Sequence, residues 1–475
     1  MMTFLPEILV ALAAIAGLLL DARRTEKPPF SPWIAKATLW ALALLAVFFW
    51  PHGKTVFAQG MLVRDPFSQM VDLCLYATLY AVLVLGEPYL HARNLWRGEW
   101  VALCLFALLG AMVVAASGHL LSLFLGIELM SLAFYGLIAM MRDNPLASEA
   151  AMKYFVLSVV ATGFLLYGFS LIYGATGTLG ISAAEHNLAL RAASPELVVL
   201  ALVFLFAALA FKVGAAPFHM WIPDVYEGSP TAVTALLGVI PKLAALAFFF
   251  RLFGEGLSPW FPGVGQEVLA GVAALSVALG NAAAIAQSNI KRMLGYSAIA
   301  HAGFFLLAAL NTGLKGQVAA SAYMTAYVLM NVGAFGVVLA MSRLGFEADK
   351  LSDLAGLAKR SPLLAGVMFL LMISLAGIPF SMGFYAKLAV MRVAVSEGYV
   401  WLVVWAVLAA ALGAYYYLRV VKIMYFDAPS DTMPILLPAR AKVILAVVAL
   451  LVLGLGVVPS PWLDWVEASV AATLR

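Results

Sequence analysis

Apolar residues occur in long runs along the whole chain, and most polar residues lie in the short segments between them. A run of about 17 to 25 apolar residues is long enough for a helix to cross the hydrocarbon core of a bilayer, which is about 30 Å thick. The predicted spans are 4–20, 33–50, 66–86, 100–116, 119–140, 150–174, 196–226, 230–252, 267–287, 292–310, 316–341, 361–391, 399–424 and 441–458. The pattern therefore predicts an all-α integral membrane protein of about 14 transmembrane helices.

Composition and charge exclude two other classes of protein. The 475 residues are 64% hydrophobic and 11% charged, whereas an ordinary soluble domain has about 25% charged residues. The net charge is +4, but the basic residues are scattered singly through short loops, so we expect no nucleic-acid binding.

Cys74 and Cys104 lie inside predicted spans without metal-ligand spacing and are expected to be packing thiols.

The loops between the spans indicate an orientation. Lys and Arg residues are more numerous in the loops after odd-numbered spans than in those after even-numbered spans. By the positive-inside rule the odd loops face the cytoplasm, which puts both termini on the non-cytoplasmic side. The first apolar run has no basic residues before it and no small-residue cleavage site after it, so we expect it to be a retained first helix.

The seventh and twelfth spans are too long for one straight crossing, and each has a proline near its middle. The two breaks share a pattern, Pro217 to Met220 and Pro379 to Met382, and lie five spans apart. A repeat that relates them must be inverted in the membrane, and broken helices in inverted repeats are typical of transporters. The predicted units are an N-terminal three-helix segment, 1–99, a first repeat of helices 4–8, 100–252, a second of helices 9–13, 265–426, and a C-terminal helix and tail, 427–475.

Four ionisable residues lie deep inside predicted spans: Glu128, Lys212, Lys242 and Lys387. A charged side chain at the centre of a transmembrane helix costs about 2.5 to 3.5 kcal/mol, so such residues usually mark ion or proton pathways. Burial and a nearby carboxylate change the proton affinity of a lysine in opposite directions. These residues are therefore candidates for proton transfer. Lys153 lies near the start of its span, where snorkelling or an ion pair with Glu149 would also explain it.

Histidine is the usual proton relay near neutral pH, and the chain has six. His301 lies in the middle of the tenth span and His219 at the break of the seventh, so both are candidate relays, although for His219 a structural role is equally open. The other four are expected to be structural because they lie in loops or at helix ends: His52, His91, His119 and His186.

The sequence has no motif for its own energy source. It contains no Walker phosphate loop, no dinucleotide Gly-x-Gly-x-x-Gly after a strand, no cysteine cluster for iron–sulfur and no histidine pair at haem spacing. We therefore expect the energy to come from an ion gradient or from a partner protein.

Two longer runs carry a family resemblance, residues 216–231 (APFHMWIPDVYEGSPT) and 291–303 (KRMLGYSAIAHAG). They resemble signatures of subunit N of proton-translocating NADH:quinone oxidoreductase, respiratory complex I, one of three antiporter-like membrane subunits. The resemblance extends over essentially the whole chain. The Pro-Asp-Val-Tyr-x-Gly run, Lys387 in place of the glutamate of subunit M, and the lack of the long lateral helix of subunit L favour subunit N.

The resemblance implies roles for these residues. Glu128 and Lys212 would form the controlling ion pair, Lys242 and His301 would carry protons along the midplane, and Lys387 would be the terminal site. Lys153 matches a lysine of the family's sixth helix. The chain would carry no cofactor itself, because the family's NADH, flavin, iron–sulfur and quinone sites lie on other subunits. Its partners would be other membrane subunits of complex I, including its antiporter-like sisters, in the lipid bilayer of the bacterial inner membrane.

Two alternatives stay open. The chain could be a subunit of a multisubunit sodium/proton antiporter, with the same fold and lysines but no redox partner. It could also be a structural membrane subunit whose buried charges only fix helix pairing, in which case lysine substitutions should impair assembly rather than turnover.

Overall fold

A computed structural model describes residues 4–23, 29–51, 53–189, 195–257, 263–429, 433, 435 and 437–474 of the chain. The described residues form a multi-spanning helical membrane protein. The N-terminal segment contains α1 (Leu5–Ala22), α2 (Ser31–Phe48), the strands β1 (Thr55–Phe57) and β2 (Leu62–Arg64), α3 (Pro66–Leu85) and α4 (Glu87–Ala92). The two strands pair antiparallel.

The next part of the chain contains the helices that surround the first helix break. They are α5 (Gly98–Ala115), α6 (Leu120–Ala139), α7 (Pro145–Thr176), α8 (Ile181–Ala189), α9 (Pro195–Val213), α10 (Trp221–Gly228), α11 (Thr231–Leu237) and α12 (Ile240–Phe249). A π-helical turn, Phe250–Gly256, extends α12.

The remaining helices are α13 (Val264–Ile285), α14 (Ile290–Ala309), α15 (Leu314–Met341), α16 (Leu357–Arg360), α17 (Pro362–Ala376), α18 (Met382–Ser396), α19 (Val400–Phe426), α20 (Ala439–Val457) and α21 (Ser460–Thr473). In the described part of the chain, 13 helical segments are long and apolar enough to cross a membrane. The broken pair α17 and α18 accounts for the twelfth predicted span, so all fourteen predicted spans are helical.

The helices are layered from the centre outwards. Nearly every residue of the segment Thr231–Glu255 and of helices α14 and α15 is buried, whereas about two thirds of each of α2, α7, α19 and α20 faces outwards. The outward residues are mainly large apolar side chains such as Phe155 and Trp401. The most polar interior positions therefore lie on helices that other helices surround.

Glycines allow two helix pairs to pack at close range. A Cβ atom at Gly110 of α5 would lie 2.5 Å from the backbone nitrogen of Met130 in α6, and one at Gly280 of α13 would lie 2.4 Å from that of Ala300 in α14. Small residues let transmembrane backbones approach in this way. The two pairs fix α6, which carries Glu128, and α14, which carries His301.

The structure contains the two predicted breaks. The first half-helix of each ends at a glycine with positive φ, 82° at Gly214 and 83° at Gly377. In both, the next amide bonds to the carbonyl five residues earlier, Ala215 to Ala210 at 2.7 Å and Ile378 to Ile373 at 3.1 Å. This left-handed termination favours glycine because a Cβ atom would be strained there.

A second pair of features recurs at a constant spacing. An isolated antiparallel bridge joins His119 to Gly180, and another joins Asn289 to Lys350, so both partners of the second bridge lie 170 positions after those of the first (119 to 289, 180 to 350). The helices that begin at these bridges, α6 and α14, are the fifth and tenth spans. The recurrence agrees with the division into repeats, which stays a prediction.

Three features differ from the expectations. The eighth span, predicted as one helix, is interrupted at Gly238 and Val239 between α11 and α12. Space explains the position, because a Cβ atom at Gly238 would lie 2.5 Å from the side chain of Asn331. Helix α21 follows the fourteenth span, and a β-hairpin lies between the second and third, and neither was predicted. The run Ser-Pro-Trp-Phe-Pro at residues 258–262, which predicts a turn, lies outside the described residues.

Candidate functional site

Glu128 lies near the middle of α6 and is half-buried. Its carboxylate accepts a 2.6 Å hydrogen bond from the hydroxyl of Thr162 in α7. A carboxylate bound to a neutral hydroxyl inside the protein has one hydrogen bond but no adjacent cation, so its charge is only partly compensated.

Lys212 lies in the last turn of α9, immediately before the helix break, and is 8% exposed. Its amine donates to the hydroxyl of Ser131 at 2.8 Å and to that of Ser158 at 3.3 Å. A cation is favoured at a helix C-terminus, where unpaired carbonyl groups carry partial negative charge. The two serine hydroxyls therefore hold the amine in the protein interior, and Lys212 belongs to the helix end where a cation is favoured.

Glu128 and Lys212 are neighbours without direct contact. In the described structure no nitrogen–oxygen distance of 4.0 Å or less joins the two side chains, and each of them binds hydroxyl groups instead. Ser131 is on the same face of α6 as Glu128, and Ser158 is one turn from Thr162 on α7. The two members of the ion pair that the resemblance implies are thus not in direct contact here, and each is bound to hydroxyl groups.

A small cavity of about 10 Å³ lies beside Lys212. Such a volume holds about one water molecule. Apart from Lys212 its lining is apolar and consists of Ile127, Met130, Ala161, Leu165, Ala208, Leu209, Pro241, Ala244, Ala245 and Phe248. Pro241, Ala244 and Ala245 belong to α12, the helix of Lys242. An apolar gap therefore separates the surroundings of Lys212 from those of Lys242.

Lys242 lies in the first turn of α12, directly after the interruption at Gly238 and Val239, and is 3% exposed. Its amine donates to the carbonyl of Ala298 at 2.9 Å and to the hydroxyl of Tyr327 at 3.2 Å. The amine also lies 4.4 Å from the centre of the Tyr327 ring, a cation–π distance. Both oxygen partners belong to other helices, which fixes the lysine at the centre of the bundle.

His301 has a tyrosine at each ring nitrogen. Its Nδ1 lies 2.6 Å from the hydroxyl of Tyr323, and its Nε2 lies 3.2 Å from that of Tyr417. The Tyr417 hydroxyl is in turn 2.5 Å from Ser297. The ring of Tyr327, which binds Lys242, is centred 5.1 Å from the His301 ring. The surroundings of Lys242 and His301 therefore form one continuous group of polar side chains.

Lys387 lies in the second half of the broken twelfth span, on α18. Its amine donates to the carbonyls of Leu375 and Ala376, both at 2.9 Å. These carbonyls end α17 and have no helical partner because the helix stops there. The amine lies 4.9 Å from the centre of the Phe304 ring, one turn from His301 on α14. The helix break thus supplies the binding groups of Lys387.

Lys153 lies apart from this buried row. Its side chain is 40% exposed and pairs with Glu149 at 2.7 Å and with Asp224 at 2.5 Å. Asp224 also pairs with Arg292 at 2.6 Å. The local pair with Glu149 that the sequence left open is therefore present, within a wider network of exposed charges.

His219 lies within the first break, and its side chain is half-buried. Its Nδ1 is buried and has no hydrogen-bond partner. The structure therefore does not connect His219 with the hydrogen-bonded side chains around the lysines.

Three of the remaining histidines lie at helix ends. His119 accepts a hydrogen bond from the amide of Leu121 and caps α6, His91 packs on Trp96 in the last turn of α4, and His186 is in the last turn of α8. His52 is outside the described residues.

Sequence reasoning did not find the polar side-chain partners of Glu128, the buried lysines and His301. These partners are Ser131, Ser158, Thr162, Tyr323, Tyr327 and Tyr417. The spacing of Tyr323 and Tyr327 would have placed both on one helix face, but Ser and Thr are common in transmembrane helices and carry no such signal. In the described residues no group of three His, Cys, Asp or Glu side chains could hold a metal ion.

A multi-spanning bundle whose broken helices hold buried lysines near one carboxylate and one histidine defines a membrane protein of the transporter type. The chain belongs to the family described as NADH:quinone oxidoreductase/Mrp antiporter, transmembrane, whose family model matches residues 117–413.

Relatives and solved structures agree with this family. The chain is 47% identical over 467 residues to NADH-quinone oxidoreductase subunit N of Methylovorus glucosotrophus (strain SIP3-4), a match that covers 97% of this chain and 95% of the relative. A chain of respiratory complex I from Thermus thermophilus is 32% identical with a TM-score of 0.84, covering 98% of this chain and 100% of that one. A chain of the Mrp complex from Dietzia sp. DQ12-45-1b, 22% identical with a TM-score of 0.85 over 99% and 97%, shares the fold.

Proposed function

We propose that this chain is a proton-translocating membrane subunit of an NADH:quinone oxidoreductase. The observation that carries the proposal is the row of buried Lys212, Lys242, His301 and Lys387, beside the half-buried Glu128, in a relative of subunit N. Buried amines without an adjacent carboxylate are costly unless their protonation can change, and such residues mark proton relays.

Glu128 and the row form two polar groups, and a proton must pass from one group to the other. The first contains Glu128, Lys212 and their hydroxyl partners, and the second contains Lys242, His301, Lys387 and their tyrosine and carbonyl partners. Apart from Lys212 the cavity between them has an apolar lining, so in this proposal water enters the gap only while a proton passes. In this proposal the first group is the controlling pair, the second carries protons along the midplane, and Lys387 exchanges them with one side.

Lys153 and His219 have smaller roles in the proposal than the residues of the row. Lys153 belongs to a partly exposed network with Asp224 and Arg292, and its charge would act on the residues at the first helix break. His219 would take part only if water reached its unpartnered Nδ1. We therefore assign proton transfer first to Glu128 and the four residues of the row.

The proposal includes partners and location. NADH, flavin, iron–sulfur clusters and quinone would lie on other subunits, and quinone reduction there would change the electrostatic field at Glu128 and Lys212. The chain would be a multi-pass protein of the bacterial inner membrane, beside other membrane subunits of complex I and its antiporter-like sisters, with both termini on the non-cytoplasmic side. Residues 100–252 and 265–426 would be the two inverted repeats, between the segments 1–99 and 427–475.

A sodium/proton antiporter subunit is the second candidate, because the family includes the Mrp antiporters and the fold is shared with an Mrp complex. The two functions can be distinguished in membrane vesicles. One set of vesicles comes from cells that lack this chain, and the other from the same cells after the chain has been restored. We expect the regained chain to restore proton uptake driven by NADH and quinone. Restoration of proton exchange driven by an imposed sodium gradient, without any effect on quinone reduction, would support the antiporter instead.

A further inference from the structure

A second cluster of buried charges lies outside the row, in the N-terminal segment. It consists of Glu7 in the first turn of α1, Arg64 at the end of β2 and Asp72 in the second turn of α3. Glu7 is 8% exposed, Arg64 4% and Asp72 0%. None of the residues of the row contacts this cluster through a hydrogen bond or an ion pair in the described structure, so it needs an explanation of its own.

A single nitrogen atom binds both carboxylates. Nη1 of Arg64 donates to Oε1 of Glu7 at 3.0 Å and to Oδ2 of Asp72 at 2.5 Å. The other terminal nitrogen of Arg64 donates to the side chain of Gln69. Two carboxylates that share one donor atom lie close to each other, so each disfavours the ionised form of the other.

A second buried cation, Arg251, is already bound. Arg251 pairs with Asp65 at 2.6 Å and with Glu255 at 3.3 Å, and it donates twice to the carbonyl of Ala115. Lys54 also pairs with Glu255, at 3.2 Å, and is partly exposed. Among the described residues, one guanidinium therefore faces two buried carboxylates, and if both were ionised one negative charge would have no counter-ion.

Unpartnered polar atoms support the same view. Oε2 of Glu7 and Oδ1 of Asp72 are buried without a hydrogen-bond partner, and so is the hydroxyl of Tyr76, one turn after Asp72. An ionised carboxylate with an unpartnered buried oxygen is strongly disfavoured, whereas a protonated one is neutral and can donate.

We propose that Glu7 and Asp72 together bind one proton, with Arg64 as the counter-ion of the remaining negative charge. The site exchanges this proton with the aqueous phase on the side where α1 begins, through Glu7, the more exposed of the two carboxyls. It is a proton-binding site separate from the row of lysines, and it does not depend on the function proposed above.

Infrared difference spectroscopy of the assembled complex in native membranes tests the site. We expect both Asp72→Asn and Glu7→Gln to lose the same protonated-carboxyl band, one that shifts in D2O. Either variant leaves Arg64 with a single carboxylate, which can then ionise and pair. Glu99→Gln, at an exposed glutamate in the first turn of α5, is the matched control and should leave the band unchanged. Loss of the band in only one variant would show that the proton belongs to one carboxyl alone. Loss of the band in neither variant would show that both carboxyls are ionised in the wild type. Either result would overturn the proposal.

A second pair of variants covers the case in which an amide substitution prevents assembly. Glu7→Asp and Asp72→Glu retain both carboxyl groups and the charge of the cluster. A shared proton predicts that each exchange shifts the frequency of the band. A band that responds to only one of the two exchanges would contradict a shared proton.

Discussion

The amine of Lys212 and the carboxylate of Glu128 are each bound to hydroxyl groups and are not in direct contact in the described structure. Ser131 and Ser158 accept hydrogen bonds from the lysine, and Thr162 donates one to the glutamate. Because neutral hydroxyls compensate a charge only partly, the two groups still attract each other through the protein interior. A small change in the surrounding field can therefore alter the protonation of this pair.

Ser131→Ala should slow proton pumping while the complex still assembles. The substitution removes the shorter hydrogen bond of Lys212, and bonds to charged groups contribute about 1.5 to 3 kcal/mol. A loss of that size corresponds to about a tenfold or larger effect on a proton-transfer step. Ser469→Ala is the control, because Ser469 is a buried serine whose hydroxyl binds only the backbone of its own helix. Equal pumping rates in wild type and Ser131→Ala, measured as initial proton uptake in vesicles, would contradict the role of the hydroxyl.

Tyr323→Phe should reduce pumping without loss of the fold. Tyr323 provides the hydroxyl at Nδ1 of His301, and its removal leaves a buried ring nitrogen without a partner, which costs about 1 to 3 kcal/mol. The corresponding control is Tyr167→Phe, at a tyrosine that is 51% exposed on the outer face of α7. Proton uptake per electron transferred is the measurement. The same deficit in both variants would show that loss of any tyrosine hydroxyl has this effect.

Gly377→Ala should disable the terminal lysine. A Cβ atom at this position would lie 2.7 Å from Cδ of Lys387, and the residue has a φ of 83°, which a non-glycine residue adopts at a cost of about 1 to 2 kcal/mol. The lysine would have to leave the carbonyls of Leu375 and Ala376. Gly366→Ala, on the same span with no atom within 4 Å of the new Cβ, is the control. If Gly377→Ala pumped as well as Gly366→Ala, the position of Lys387 would not matter.

Glu347 should contribute a pH-dependent share of stability. Burial disfavours its ionised form, but Lys291 and Arg93 more than offset this and hold the pKa of Glu347 below its usual range. A lowered folded-state pKa stabilises the protein above the unfolded pKa of about 4.3, and the contribution is lost as the pH falls through the folded-state pKa. Because Glu347 is partly exposed, we expect Glu347→Gln to cost about 1 to 3 kcal/mol at pH 7. The thermal stability of the solubilised complex measures this loss of stability.

The difference between Glu347→Gln and wild type should shrink in acid, once the wild-type carboxylate is itself protonated. Glu267→Gln, at an exposed glutamate, should change stability little at any pH. A destabilisation by Glu347→Gln that did not depend on pH would argue against an electrostatic cause.

The spans and the two breaks were predictable because they depend on local properties of the chain. Run length determines whether a helix can cross the bilayer, and Pro217 and Pro379 mark positions where a helix cannot continue. The interruption at Gly238 was not predictable in this way, since it depends on the close approach of Asn331 from α15. Helix α21 was missed because its 14 residues are too few for a crossing.

The members of the site were easier to predict than their contacts. A lysine deep in an apolar span is conspicuous, so Lys212, Lys242 and Lys387 were found from position alone. Their partners come from other helices and depend on how these pack, as Tyr327 does for Lys242. The same limit applies to Lys153, whose ion pair with Asp224 joins residues 71 positions apart.

Replacement of Lys212 by alanine, followed by electron transfer to quinone and proton uptake in the same vesicles, tests the central claim most directly. If the buried row couples quinone reduction to proton movement, both activities should collapse together in a complex that still assembles. A Lys212→Ala complex that assembled and pumped at the wild-type ratio of protons to electrons would contradict the account.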